Sequence, residues 1–139
     1  MCLLVNKRHW LKKPKITLFP KKVYKTFRIY HDPDRIETPY QHFPIDYNIL
    51  VNGMQTNLQK MPKGAVLEIW HGIHAFRDYQ YAVEQYAWRL FHGGDYITVE
   101  MIIPPFTKYW LGTQCDICAE KMLFSNEAKS KLVKYIVKH

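Results

Sequence analysis

No acidic side chain occurs in the first 22 residues, which carry Lys7, Arg8, Lys12, Lys13, Lys15, Lys21 and Lys22. The chain has 139 residues and a net charge of +8, so the remaining positions hold thirteen of the 20 Lys and Arg against all 12 Asp and Glu. The basicity therefore belongs to one arm, residues 1–22, and not to the rest of the chain. Long hydrophobic runs are lacking too. No apolar stretch approaches the roughly 20 residues of a membrane span, so no membrane partner is expected. A secretory signal runs basic and then apolar, whereas residues 1–13 run apolar and then basic; the expected location is cytoplasmic. Cysteine is scarce. Three is an odd number that builds no disulfide framework, and it fits free thiols in a reducing compartment. Also missing are a Walker loop, a dinucleotide glycine fingerprint, a nucleophile elbow and a recognised nucleic-acid motif.

What is present is hydrophobic content enough to fold, 47%, with aromatics at 15%. The length favours one domain, here residues 23–139 after the arm. Residues 23–30 (VYKTFRIY) alternate and are β-branched and aromatic, which predicts a strand. Residues 31–44 hold three prolines and read as an irregular loop. A short strand is expected at 46–51, ended by the turn pair Asn52-Gly53, and a further turn at Pro62-Lys63-Gly64. Residues 66–70 read as a strand running into a turn that contains His71 and His74. The clearest helix starts near Asp78, with Tyr79, Ala82, Val83, Tyr86, Ala87, Leu90 and Phe91 as its core stripe and Gly93-Gly94 as its stop. Tyr81 and Trp88 share another face of it. Strands follow at 96–103, 108–111 and 121–124. Ser125 or Asn126 caps a last helix over 127–138. The order predicts an α+β fold: a mixed or mainly antiparallel sheet, one long central helix and a C-terminal helix.

Three sets of residues carry candidate chemistry. His71-x-x-His74 and Cys115-x-x-Cys118 supply the two nitrogens and two sulfurs that tetrahedral zinc takes. Ala119, however, stands where a zinc knuckle carries glycine, and a buried Cys118 behaves as a small hydrophobe, so no metal and no cofactor are expected. Cys2 becomes an N-terminal nucleophile if Met1 is removed, or else is an apolar residue of a strand at 2–5. His74, between a strand and a helix start, either lines an anion-binding turn or holds the loop around Tyr40, Gln41 and His42 by hydrogen bonds. No residue is assigned a catalytic role.

Four segments together carry a resemblance: Met1-Cys2-Leu3, TPYQHF at 38–43, GIHAF at 72–76, and IPPFTKYWLG at 103–112 followed by DICAEKMLF. They resemble a family of small proteins of Bacteroidetes and Bacteroidetes phages, which carries no established activity to transfer. A more distant resemblance is to the ADP-ribosyltransferase fold. There Ile103-Pro104 and Glu120-Lys121-Met122-Leu123-Phe124 echo a strand end and an acidic residue before an apolar run. Pro105 replaces the expected glycine, and Met122 stands where a second glutamate would be.

Three functions follow as expectations. The first is a small phage- or bacterium-encoded accessory domain, non-catalytic, that binds a protein or a small nucleotide-like ligand. The second is a nucleotide-binding or ADP-ribosyltransferase-like domain with a cleft at His74 and Tyr40, joined by Tyr24, Gln41, His42 and Glu120. The third is a nucleic-acid-binding protein acting through Lys7, Arg8, Lys12, Lys13, Lys15, Lys21 and Lys22, by release of counterions from phosphate.

Overall fold

The structure, a computed structural model, describes residues 3–6, 15–31, 34–39, 43–56, 59–63, 66–87, 95–112 and 115–136; within these, side chains are described outside 3–6, 59–63, 66–71 and 86–87. Its centre is a long antiparallel pair. Strand β3 (Lys21–Tyr30) runs against β9 (Asp95–Ile103), in register from Lys21 opposite Ile103 to Ile29 opposite Asp95. Directly opposed residues share a face of the sheet. Val23, Phe27, Val99 and Met101 therefore lie on one face, with Tyr24, Thr26, Tyr96 and Thr98 on the other.

Around this pair the order is β2 (Lys15–Ile16), β10 (Lys108–Leu111), β11 (Asp116–Ala119), β8 (Ile73–Phe76), β3, β9, β12 (Lys121–Phe124) and β5 (Met54–Gln55). A short β4 (Arg35–Glu37) also pairs with β3. A separate three-stranded sheet has the order β1 (Leu3–Asn6), β7 (Val66–His71), β6 (Gln59–Lys63). All described pairings are antiparallel. The fold is thus mixed α and β around a mainly antiparallel sheet, with short helices and one near the C-terminus. Within residues 1–22, β1 lies on β7, β2 lies on β10, and Lys21 and Lys22 open β3 opposite Ile103 and Ile102.

Several expected elements differ. Residues 46–51 form no strand: α1 (Tyr47–Asn52) stands there, with Asp46 as N-cap accepting from Ile49 N at 2.8 Å. The capping carboxylate outweighs the β-branched run, because it pairs a helix N–H that would otherwise be unsatisfied. Gly53, read as a hairpin turn, is the helix C-cap at φ 89°, and a Cβ built there would meet Leu123 Cδ2 at 2.5 Å and Met122 O at 2.7 Å. Only glycine suits both the backbone and the space. Pro62 is no turn residue but lies in β6 opposite Leu67, on an edge strand where a missing N–H is tolerated. The turn expected to contain His71 and His74 is confined to Gly72: His71 ends β7 and His74 lies in β8. Gly72, at φ 152°, lets the chain pass from β7 in the small sheet to β8 in the large one. Residues 116–119, read as part of a cysteine motif, are strand β11. The expected long central helix is described as α2 (Tyr79–Ala87), and its expected remainder lies outside the described residues. Helix α3 (Asn126–Leu132) is capped by Ser125, whose Oγ accepts from Ala128 N, and tightens into a 3-10 turn at Val133–Tyr135.

The main core lies on the Val23–Phe27 face. There Ile36, Leu50, Met54, Ile73, Ile103, Ile117, Met122, Phe124, Ala128 and Leu132 are all buried. Helices α1 and α3 cover it with Leu50, Ala128 and Leu132. Helix α2 lies on the opposite face, where a smaller cluster joins Phe76 and Ala82 to Tyr24, Tyr81 and Tyr96. Among the described residues no helix is long and apolar enough to cross a membrane.

Candidate ligand cleft at the β9 edge

Strand β12 pairs with β9 only at Ile102 and Met101, so among the described residues no strand lies beside Asp95–Val99 on that edge. Helices stand there instead. Tyr79 and Val83 of α2, Tyr96, Ile97 and Thr98 of β9, and Lys131 and Lys134 around the end of α3 line a cleft of about 440 Å³. Tyr79 and Val83, expected on the core stripe of their helix, are exposed. The buried face is instead centred on Ala82, and Tyr81, expected on another face, packs against Phe76 with ring centroids 5.2 Å apart. Tyr and Val are apolar enough to sit on a hydrophobic stripe or beside it, so the pattern misplaced the face by part of a turn.

Polar bonds fix the cleft's floor. Thr26 Oγ1 donates to Ala82 O at 3.2 Å, tying α2 to the sheet, and lies 2.7 Å from Thr98 Oγ1. A hydroxyl has one hydrogen, so Thr98 must donate to Thr26 and keep its lone pairs free to accept. Tyr79 stands edge-on to Tyr24, centroids 5.6 Å apart and planes at 79°. On the α3 side, Lys131 Nζ lies 2.7 Å from Glu127 Oε1, and Lys134 Nζ lies 5.1 Å from the Tyr135 ring centre. The bond to Glu127 holds the Lys131 ammonium above its ordinary range, with smaller help from Tyr79, and Lys131 draws the Glu127 carboxyl down in return. Beside the cleft, His31 bridges Asp95 at 2.7 Å and Asp34 at 3.1 Å, and those bonds, Asp95 first, raise its pKa above 6.5.

Of the site residues singled out from sequence, those that are described lie outside this lining. His74 is in mid-strand β8, half-buried, directly opposite Cys118 of β11, so one His–Cys pair of the zinc reading is brought together. The His71 side chain lies outside what is described, and the Cys115 carbonyl accepts from Arg77 N at 2.8 Å. Among the described residues no group of three or more His, Cys, Asp or Glu is placed to hold a metal ion. Tyr24 is one ring away from the cleft, through Tyr79. Glu120 lies at the bend between β11 and β12, its N–H on Lys108 O and its carbonyl on Thr56 N. Cys2, Tyr40, Gln41, His42, Lys7, Arg8, Lys12 and Lys13 lie outside the described residues. Lys15 and Lys22 are exposed and Lys21 is half-buried, with Lys22 Nζ 3.7 Å from Glu100.

Lys25 was not singled out, yet it is 8% exposed in the core face of β3. Its Nζ donates to His74 O at 2.5 Å and stands 5.8 Å from the Phe27 ring centre. Burial pushes its pKa down to about 8, with Cys118 acting weakly the other way. The signal was in the alternation, since Lys25 falls in the apolar phase with Val23, Phe27 and Ile29. The cleft's lysines carried a weaker signal: Lys131 and Lys134 flank the stripe of Ala128 and Leu132 and read as an ordinary solvated face.

No family model matches this chain, and neither a curated protein nor a solved structure was found that is similar to it.

Proposed function

We propose that this chain is a non-catalytic binding domain for a small anionic, nucleotide-like ligand held in the cleft between α2, β9 and α3. What supports this is the convergence of two tyrosines and two lysines on one 440 Å³ space. Planar rings and ammonium groups together suit a molecule with a flat apolar part and a phosphate. Lys134 is the better anion partner, because Glu127 already bonds Lys131. The free lone pairs of Thr98 suit a hydroxyl or amino donor on the ligand.

Calorimetric titration with ADP, adenosine and pyrophosphate tests the reading. ADP should bind most tightly, and Lys134→Ala should weaken it by about tenfold, the usual loss for one charged hydrogen bond. Absence of binding by all three, or ADP binding that Lys134→Ala and Tyr96→Ala leave unchanged, would overturn it.

A further inference from the structure

The opposite end of the β3–β9 pair carries a second surface, independent of the cleft. There the segment after β2 meets the turn after β9. Phe19 and Phe106, each 79% exposed, and Leu18, 70% exposed, are the most exposed large apolar side chains among the described residues, and Ile16 beside them is 53% exposed. These are not loosely held. Thr17 N donates to Thr107 O at 3.0 Å, Phe106 N to Thr17 O at 2.7 Å, Thr17 Oγ1 to Pro104 O at 2.6 Å, and Thr107 N to Thr17 Oγ1 at 3.0 Å. Both threonines are buried, so the polar groups of the two loops face inward while the apolar ones face water.

The backbone sharpens the point. Phe106 has φ 64°, and no other non-glycine described residue has a positive φ. It follows Pro105 in a tight turn, at the position that favours glycine. A bulky ring held outward at strained backbone calls for a reason outside the monomer's own stability. The rim is cationic. Lys15, Lys22 and Lys108 are exposed, and Lys21 lies half-buried 5.8 Å from the Tyr109 ring centre. Two carboxylates stand near these lysines and are more covered: Glu100 of β9, 3.7 Å from Lys22 Nζ, and Glu120 at the bend after β11, whose N–H bonds Lys108 O.

We propose that this tip is a membrane-docking surface: Leu18, Phe19 and Phe106 insert at the interface of an anionic bilayer, and Lys15, Lys22 and Lys108 meet its phosphates. Apolar projections ringed by lysine are the two terms that govern interfacial binding, buried apolar area and attraction to anionic headgroups. No spanning helix is required. A nucleic-acid platform fits less well, because Ile16 and Leu18 have no ring for a base to stack on.

Cosedimentation of the full chain with phosphatidylglycerol-rich vesicles and with phosphatidylcholine vesicles tests the proposal. The chain should pellet with the anionic vesicles and release in high salt. Phe106→Gly relieves the strained turn and should leave the melting temperature equal or higher, so it separates docking from folding. Combined with Phe19→Ser it should lower partitioning by at least about tenfold, the loss of two inserted rings. No binding to anionic vesicles, or equal binding by the double variant, would overturn the proposal. Capture of single-stranded RNA that the double variant abolishes, without vesicle binding, would overturn it in favour of nucleic acid.

Discussion

The two faces of the β3–β9 pair are built from the same ten-residue strand and come out differently. On one face Val23, Phe27, Val99 and Met101 are closed over by α1 and α3. On the other, Tyr24, Thr26, Tyr96 and Thr98 meet α2 through a hydroxyl chain and an aromatic edge contact, and the gap beside α2 is the cleft. A face of branched and aromatic apolar groups excludes water by shape alone. A face of Tyr and Thr holds a helix by directed bonds and leaves room where those bonds run out. The first face makes the fold, and the second leaves an open cleft beside it.

The sharpest way to test that division is truncation on the closed face. Phe27 is fully buried, with its ring centroid 5.8 Å from that of Phe124. Phe27→Ala should cost about 3–5 kcal/mol, from lost burial and the cavity left behind. Urea denaturation checks this. A loss below about 1 kcal/mol would mean that the face is not the stabilising one.

Lys25 interrupts the same face, and there the expected effect has the opposite sign. Burial holds its folded pKa at about 8 against an ordinary 10.5. Below pH 8 both folded and unfolded chains carry the proton, and the desolvation penalty is fully present. Between about 8 and 10.5 the unfolded chain binds more protons, so stability rises with pH, by roughly 3 kcal/mol in all. Lys25→Met should remove that rise and stabilise the protein at pH 7 by about 1–3 kcal/mol, part of the gain being offset by the lost bond to His74 O. Denaturation of both proteins across pH 7–10.5 measures it. Parallel pH curves would show that Lys25 is solvated in the fold.

These two side chains also show what the sequence could and could not reveal. Strand β3 was legible because period-two alternation of branched and aromatic residues has few other readings, and the Ser125 cap and the strands at 108–111 and 121–124 were legible for similarly local reasons. Strand β11 was not, because Cys115-x-x-Cys118 drew attention to metal chemistry while the strand itself depends on β8 and β10, distant in sequence. Helix α1 was misread because Ile49, Leu50 and Val51 favour strand locally and the deciding group is one capping carboxylate. The cleft was the least legible. It depends on where β12 stops pairing with β9, which is a matter of register. Its residues also had plausible ordinary roles: Tyr79 and Val83 in a core stripe, Lys131 and Lys134 on a solvated helix flank. His74 drew attention by its glycine neighbour, and that glycine serves the crossing from one sheet to the other.

The smallest effect is expected at Tyr79, on the open face. Tyr79 is about half exposed, at 48%, and its described partners are the edge contact with Tyr24 and the weak influence on Lys131. An aromatic pair of this kind contributes about 0.5–1.5 kcal/mol. Tyr79→Ala should therefore destabilise by about 1 kcal/mol, a fraction of the Phe27→Ala loss, because Thr26 still ties α2 to the sheet through Ala82 O. The same change should weaken ADP binding if the ring forms a wall of the ligand site. Urea denaturation and calorimetry on one preparation separate the two. A stability loss as large as that of Phe27→Ala would show that both faces belong to one core and that the cleft is a packing gap. Near-normal stability with weakened ADP binding would place Tyr79 in the ligand's contact surface and leave the folding role to the opposite face.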